Sequence, residues 1–166
     1  MRNFIILIVS IFSANFVLAQ NNIETEKPVY LRFPTVPQFT VYQAPDSTSF
    51  TRNDLDKKKS TIFFIFSPDC GHCQMETAAI IKDIKKFKNT HILMVTHFPY
   101  EEMIRFYKQF KIANYPQLIM ARDTKYFFPV FFGVKNFPSI FVYDKKGNFK
   151  KAFEGDVKVD DIIKEL

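Results

Sequence analysis

The run from residue 61 to residue 66 constrains the fold more than any other segment of this chain. It reads Thr-Ile-Phe-Phe-Ile-Phe, so apolar side chains would point to both faces of a strand. Strands of this kind lie in the centre of parallel sheets whose two faces are covered by helices. Residues 60–66 therefore predict the central strand of an α/β domain.

Strands and helices alternate through the rest of the chain. The further predicted strands are residues 29–33, 38–43, 91–96, 117–121, 139–143 and 149–153. The predicted helices are residues 70–88, 100–110, 123–132 and 160–166, with a brief helical turn at residues 53–59. This order predicts a mixed central sheet flanked by helices on both faces, with an antiparallel hairpin near the end.

Residues 1–19 have the pattern of a secretory leader. A basic start at Arg2 precedes a mostly apolar run, and Val17 and Ala19 occupy the positions that a signal peptidase reads. An uncleaved membrane anchor is the alternative, although the run is shorter than the roughly 20 residues of a full span. We expect a leader at 1–19, a loose arm at 20–30 and one domain at 31–166.

Charge limits the partners of the chain. The net charge is +6, but the basic residues alternate with acids along the predicted helices. This arrangement indicates solvated helix faces, so we expect no nucleic-acid partner.

The two cysteines of the chain stand where the buried strand meets a helix, in the sequence Cys70-Gly71-His72-Cys73. At this spacing both sulfurs can meet across one helical turn. Cys70 would lie at the helix start, where free backbone N–H groups favour a thiolate. Gly71 leaves room for a substrate, and a protonated His72 would favour the thiolate further. Cys70 is thus the candidate nucleophile and Cys73 the resolving thiol of a redox pair.

A structural disulfide and half of a zinc site are the alternatives for this pair. A disulfide across so short a loop would restrict the unfolded chain very little. A structural zinc site needs four ligands, and only His72, His91 and His97 remain as further nitrogen ligands. The redox interpretation is therefore preferred.

Residues 63–73, Phe-Phe-Ile-Phe-Ser-Pro-Asp-Cys-Gly-His-Cys, resemble the active-site strand and helix start of the thioredoxin superfamily. With Glu76, the pattern Cys-x-x-Cys-x-x-Glu is similar to the TlpA/ResA group of extracytoplasmic thioredoxin-like proteins. The resemblance implies that Glu76 lies beside the cysteines and influences their protonation. Spacing alone also allows an ordinary solvated glutamate on the helix surface.

A second stretch, residues 132–142, resembles the segment of the same family that contains its cis-proline. By this match Pro138 is the cis-proline opposite the cysteines, and Phe137 presents its backbone to a substrate chain. Pro116 is a rival candidate, and a trans proline opening a strand is the common alternative. The resemblance implies a thioredoxin-like fold with an N-terminal extension and a strand–helix insert between Cys73 and Pro138.

Two positions depart from the family pattern. Asp69 stands where a tryptophan usually precedes the cysteines, and its charge opposes a thiolate at Cys70. Phe64 stands where thioredoxin has a buried carboxylate, so any assisted proton transfer would fall to Glu76.

These features together predict a thiol–disulfide oxidoreductase that reduces protein disulfides outside the cytoplasm without a metal or organic cofactor. The resemblance implies a thiol electron donor in the membrane, and an uncleaved leader would tether the chain there. A disulfide oxidase or isomerase with the same centre is the main alternative. A Sco-type copper chaperone fits the ligand pattern poorly. A peroxiredoxin is disfavoured because no lone peroxidatic cysteine stands in a Thr-x-x-Cys pattern.

The leader pattern predicts that the exported protein begins at Gln20, because Val17 and Ala19 fit the cleavage site. Mass analysis of the N-terminus of the exported protein measures this directly. A membrane-bound form that retains Met1 would replace the cleaved leader with an anchor.

Overall fold

The computed structural model describes residues 27–166. The predicted leader and residues 20–26 of the predicted arm lie outside this part of the chain. No helix among residues 27–166 is both long and apolar enough to cross a membrane.

A seven-stranded mixed sheet forms the centre of the domain. Its strands are β1 (Thr40–Gln43), β2 (Ser49–Thr51), β3 (Ser60–Ile65), β4 (Thr90–Thr96), β5 (Leu118–Arg122), β6 (Ser139–Tyr143) and β7 (Phe149–Glu154). They lie in the order β2-β1-β5-β4-β3-β6-β7. The pairs β3–β4 and β4–β5 are parallel, and all other neighbouring pairs are antiparallel.

Five helices cover the two faces of this sheet. They are α1 (Val29–Arg32), α2 (Gly71–Lys82), α3 (Tyr100–Gln109), α4 (Phe127–Phe132) and α5 (Val159–Ile163). Buried residues of α2, α3 and α5 share one core, and α4 packs with the first strands in the other. The predicted architecture of a mixed sheet with helices on both faces is confirmed.

Strand β3 shows how the sequence produces the two cores. Ile62 and Phe64 point into the core beneath α2, while Phe63 and Ile65 point into the core beneath α4. Every residue of β3 is buried. Because side chains alternate between faces, a continuous apolar run is what a strand covered on both sides requires.

Residues 29–33 were predicted as a strand, and this prediction is wrong. Residues Val29–Arg32 form α1, which follows Pro28, and residues 29 and 30 therefore belong to a helix and not to a loose arm. So short a segment has too few residues for its apolar spacing to separate a strand from a helical turn. The ring of Tyr30 packs 5.1 Å from those of Phe141 and Phe149 (centroid to centroid) and holds α1 on the sheet.

Several other predicted boundaries change. The helix predicted at residues 70–88 ends at Lys82, and a 3₁₀ turn at Ile84–Phe87 follows it. The turn predicted at 53–59 shortens to a 3₁₀ turn at Arg52–Asp54, and β2 was not predicted. The helix predicted at 123–132 begins only at Phe127. Asp123 precedes it and accepts a hydrogen bond from the backbone N–H of Phe128 at 2.8 Å.

The aromatic packing of α4 generates a stability prediction. The ring of Phe132 is 2% exposed and stacks on Phe141 at 4.1 Å between centroids. Phe132→Ala should lower the free energy of unfolding by about 3–5 kcal/mol, because it leaves a cavity between α4 and the sheet. Val130, on the same helix, is 65% exposed, so Val130→Ala should change that free energy by less than about 0.5 kcal/mol. Urea denaturation of both variants measures the difference, and equal losses would contradict this packing account.

Candidate active site

Cys70 lies at the start of α2, where the chain leaves the central strand. It is the N-cap residue of this helix, and its Sγ accepts a hydrogen bond from the backbone N–H of Cys73 at 3.3 Å. A turn at Pro68 and Asp69 separates β3 from the helix, and the N–H of Cys70 donates to the carbonyl of Ser67. The sulfur therefore takes the place of a capping oxygen, where the N–H groups and dipole of the helix favour negative charge.

The two thiols have different surroundings. Cys70 is partly exposed, whereas Cys73 is fully buried in the core beneath α2, and both are free thiols. Burial raises the pKa of the Cys73 thiol well above its ordinary value, and its hydrogen bond to Cys70 adds to this effect. Cys73 is consequently a neutral thiol in the reduced protein.

The loop before β6 lies against the sulfur of Cys70. The Cys70 thiol is 3.7 Å from the backbone carbonyl oxygen of Phe137, which accepts its hydrogen bond. The Phe137–Pro138 peptide bond is cis, and Pro138 is buried. Strand pairing explains why the Cys70 thiol contacts this loop, because Ser139 at the start of β6 pairs with Ile65 at the end of β3. Pro116, the rival candidate, is exposed in the turn before β5.

Glu76 lies one helical turn beyond Cys73 and is only 5% exposed. Its Oε2 accepts a hydrogen bond from the backbone N–H of Val157 at 3.4 Å, and its Oε1 has no hydrogen-bond partner among the described residues. Burial raises the pKa of Glu76 to about 7, and the negative charge of Asp156 adds to the rise. The alternative of a solvated surface glutamate is therefore wrong.

His72 forms an ion pair that the sequence did not reveal. Its Nδ1 lies 2.8 Å from Oδ1 and 3.0 Å from Oδ2 of Asp156, and both side chains are more than half exposed. Only the order of the strands could have indicated this contact. Strand β7 runs antiparallel to β6, so the residues after Glu154 return to the end of the sheet where the cysteines lie.

Gly71 lies on the surface beside Cys70. A Cβ atom added there would meet no other atom within 4 Å. The fold itself therefore does not require glycine at this position, and the approach to Cys70 is open on this side.

A group of rings extends from Phe137 away from the cysteines. The ring of His97 lies 6.0 Å from that of Phe137 and 4.7 Å from that of Tyr126, which is 51% exposed. Phe98 also contacts Phe137, with 6.0 Å between ring centroids. Sequence reasoning considered His97 only as a distant metal ligand and missed this aromatic surface.

Among residues 27–166, no three or more His, Cys, Asp or Glu side chains form a group that could hold a metal ion. Burial lowers the pKa values of His91 and His97. His91 instead has a structural contact, because its Nε2 accepts a hydrogen bond from the backbone N–H of Asp56 at 3.1 Å.

Comparisons with solved structures find the same arrangement of strands and helices. The MTB protein dsbF, described in mixed oxidized and reduced forms, is 21% identical with a TM-score of 0.66, and the match covers 79% of this chain and 96% of that chain. A secreted disulfide oxidoreductase of Mycobacterium tuberculosis is 13% identical with a TM-score of 0.65, covering 78% of this chain and 96% of that one.

The thioredoxin domain of a thiol-disulfide oxidoreductase from Bacteroides vulgatus is 19% identical with a TM-score of 0.62, covering 78% of this chain and 91% of that domain. No protein-family model and no curated protein matches the sequence. At these identities the structural matches define the architecture. The chain has the thioredoxin-like fold, with its pair of cysteines at the end of the central strand.

Proposed function

We propose that this chain is a thiol–disulfide oxidoreductase that reduces protein disulfides outside the cytoplasm. The observation that carries the proposal is the placement of Cys70. Its sulfur caps α2, is partly exposed and contacts the carbonyl before Pro138, while a second, buried thiol lies one turn further along the helix. Two structural neighbours, a secreted disulfide oxidoreductase and the thioredoxin domain of a thiol-disulfide oxidoreductase, support the same activity.

The reaction begins with Cys70 as a thiolate. It attacks one sulfur of the substrate disulfide, so a mixed disulfide forms and the other substrate sulfur leaves as a thiolate. Cys73 then loses its proton and attacks the sulfur of Cys70. This step breaks the mixed disulfide, releases the second substrate thiol and leaves a Cys70–Cys73 disulfide. Two electrons pass from the cysteine pair to the substrate.

Glu76 is the proposed proton acceptor for Cys73. The buried thiol of Cys73 must lose its proton before it can attack. A carboxyl group whose pKa is about 7 is divided between its two protonation states at neutral pH, so it can both accept and return a proton. Glu76 also lies three residues after Cys73 on the same helix, and such residues are neighbours on the helix surface.

The substrate chain would lie along the loop that contains Phe137 and Pro138. The carbonyl of Phe137 already contacts Cys70, so an extended segment beside this loop would bring its disulfide to the sulfur. Exposed Tyr126 and the half-buried rings of His97 and Phe98 continue this surface.

The location and the electron donor are proposed on different grounds. The predicted leader at residues 1–19 and the secreted neighbour support an extracytoplasmic protein. The resemblance to the TlpA/ResA group supports a membrane thiol protein that reduces the Cys70–Cys73 disulfide again. The same resemblance favours reduction over oxidation as the direction of electron flow.

The difference between the two thiols predicts their order of reactivity. Iodoacetamide at limiting concentration and neutral pH should alkylate Cys70 first, because Cys73 is buried and its raised pKa keeps it protonated. Peptide mapping by mass spectrometry measures the modified fraction at each cysteine. Faster labelling of Cys73 would exchange the proposed nucleophile and resolving thiol.

The reduction potential of the cysteine pair tests the direction of the reaction. We expect a value between about −180 mV, the potential of protein disulfide isomerase, and about −270 mV, that of thioredoxin. Equilibration with glutathione buffers gives the value. A potential less negative than about −180 mV would instead indicate an oxidase or isomerase.

Substitution of Glu76 should change that potential in a pH-dependent manner. Above pH 7 the glutamate is ionised and its charge disfavours nearby thiolates, so Glu76→Gln should raise the potential by about 15–30 mV at pH 8. At pH 6 the wild-type carboxyl is mostly neutral, and the two proteins should differ little. Exposed Glu101 provides the control, since Glu101→Gln should have no effect at either pH. Equal potentials at pH 8 would remove Glu76 from the redox centre.

A further inference from the structure

The segment from Gly155 to Lys158, which links β7 to α5, lies across the first turns of α2. Two contacts one helical turn apart join them: the ion pair of Asp156 with His72, and the hydrogen bond from the N–H of Val157 to Glu76. On its other side, the N–H of Gly155 donates to the carbonyl of Pro138 at 2.9 Å. The segment therefore connects the helix that carries the cysteines with the loop beside Cys70.

We propose that Asp156 is a positioning residue of the redox centre. Its ion pair with His72 holds residues 155–158 against α2, and the segment then covers the carboxyl group of Glu76. The consequence for catalysis rests on the proposed function, whereas the positioning itself does not.

Asp156 provides the side-chain ion pair by which the segment contacts the first turn of α2, in addition to the packing of Val157. The Asp156 side chain is 63% exposed, so burial does not hold it in place, and its carboxylate meets His72 through both oxygens. The next ion pair along the chain, between Asp160 and Lys86, holds the first turn of α5 and lies beyond the segment. An exposed ion pair is weak and Val157 also packs against the core beneath α2, so loss of the pair should loosen the segment beside Glu76 without unfolding the domain.

Opening the segment would change the surroundings of Glu76. Val157 provides the hydrogen bond to its carboxylate, and the strands beneath α2 contribute apolar side chains to this core. Cys73 and His72 lie within about one turn of Glu76 on its own helix, and the charge of Asp156 on the segment acts on its carboxyl group. Water reaching the carboxylate would lower the pKa of Glu76 from about 7 toward its ordinary value of 4.5. An ionised Glu76 could no longer alternate between proton acceptor and donor at neutral pH.

A carbon-13 NMR titration of the Glu76 carboxyl in the reduced, full-length protein tests the proposal, with Glu76→Gln identifying the signal. In Asp156→Asn we expect the pKa of Glu76 to fall by about half a unit to one unit. Asp160→Asn is the matched control, because it removes an exposed aspartate that also pairs with a basic residue. It should leave the pKa of Glu76 unchanged, and Asp156→Glu should restore most of the wild-type value.

His72→Ala separates positioning from a direct effect of charge. If Asp156 acted only through its own field, removing the neighbouring imidazole would leave the pKa of Glu76 unchanged or raise it, since a cation is lost. If the ion pair holds the segment, His72→Ala should lower that pKa as Asp156→Asn does, and the double variant should lower it no further than Asp156→Asn alone. The proposal would be overturned if the pKa of Glu76 fell in Asp156→Asn but not in His72→Ala, or if it fell in neither variant.

The same variants distinguish failure of this proposal from failure of the proposed function. The titration reports on the covering of Glu76 whether or not the protein reduces disulfides. In a disulfide reduction assay, Asp156→Asn should shift the pH profile to lower pH by the amount that the titration measures. A protein without reductase activity but with the expected titration would retain the positioning role and contradict only the proposed function.

Discussion

The antiparallel pairing of β3 with β6 is the interaction on which the candidate site depends. Cys70 follows β3 and Pro138 precedes β6, so the register that pairs Ile65 with Ser139 places the thiol beside the Phe137 carbonyl. Both strands are buried along their whole length. A slip of one residue would turn every side chain to the opposite face of the sheet, so the packing of both cores also determines the geometry at the sulfur.

The part of this arrangement that could be predicted from sequence is the part encoded locally. The apolar run of β3, the turn at Pro68 and the helix with Cys70 at its start are consecutive in the chain, and each has a distinct residue pattern. Segment 29–33 shows the limit of such patterns. Its apolar residues fit a strand or a helical turn, and the long-range contacts of the Tyr30 ring with Phe141 and Phe149 accompany the helix.

Asp156 shows a different limit, because nothing local distinguishes it from the other exposed aspartates near the end of the chain. Its role depends on β7 returning to the cysteine end of the sheet, where Ser139 pairs with Glu154. The burial of Glu76 has the same origin. Spacing on α2 placed it one turn from Cys73, but Val157, which donates a hydrogen bond to its carboxylate, is contributed by a segment 81 residues away. Contacts between distant segments therefore define the electrostatics of the site.

These contacts also alter the balance of charge around the cysteines. A protonated His72 considered alone would favour a thiolate at Cys70 and make the disulfide a stronger oxidant. In the structure its imidazole is paired with Asp156, so the net charge of that pair is zero when His72 is protonated and negative when it is neutral. Exposed Asp69 adds a screened negative charge, and Glu76 adds a less screened one as the pH rises through about 7. None of the described ion pairs gives Asp69 or Glu76 a basic partner. At Cys70 these negative charges act against the N–H groups of the helix start, so the proposed transfer of electrons to a substrate is favoured to the extent that the negative charges prevail.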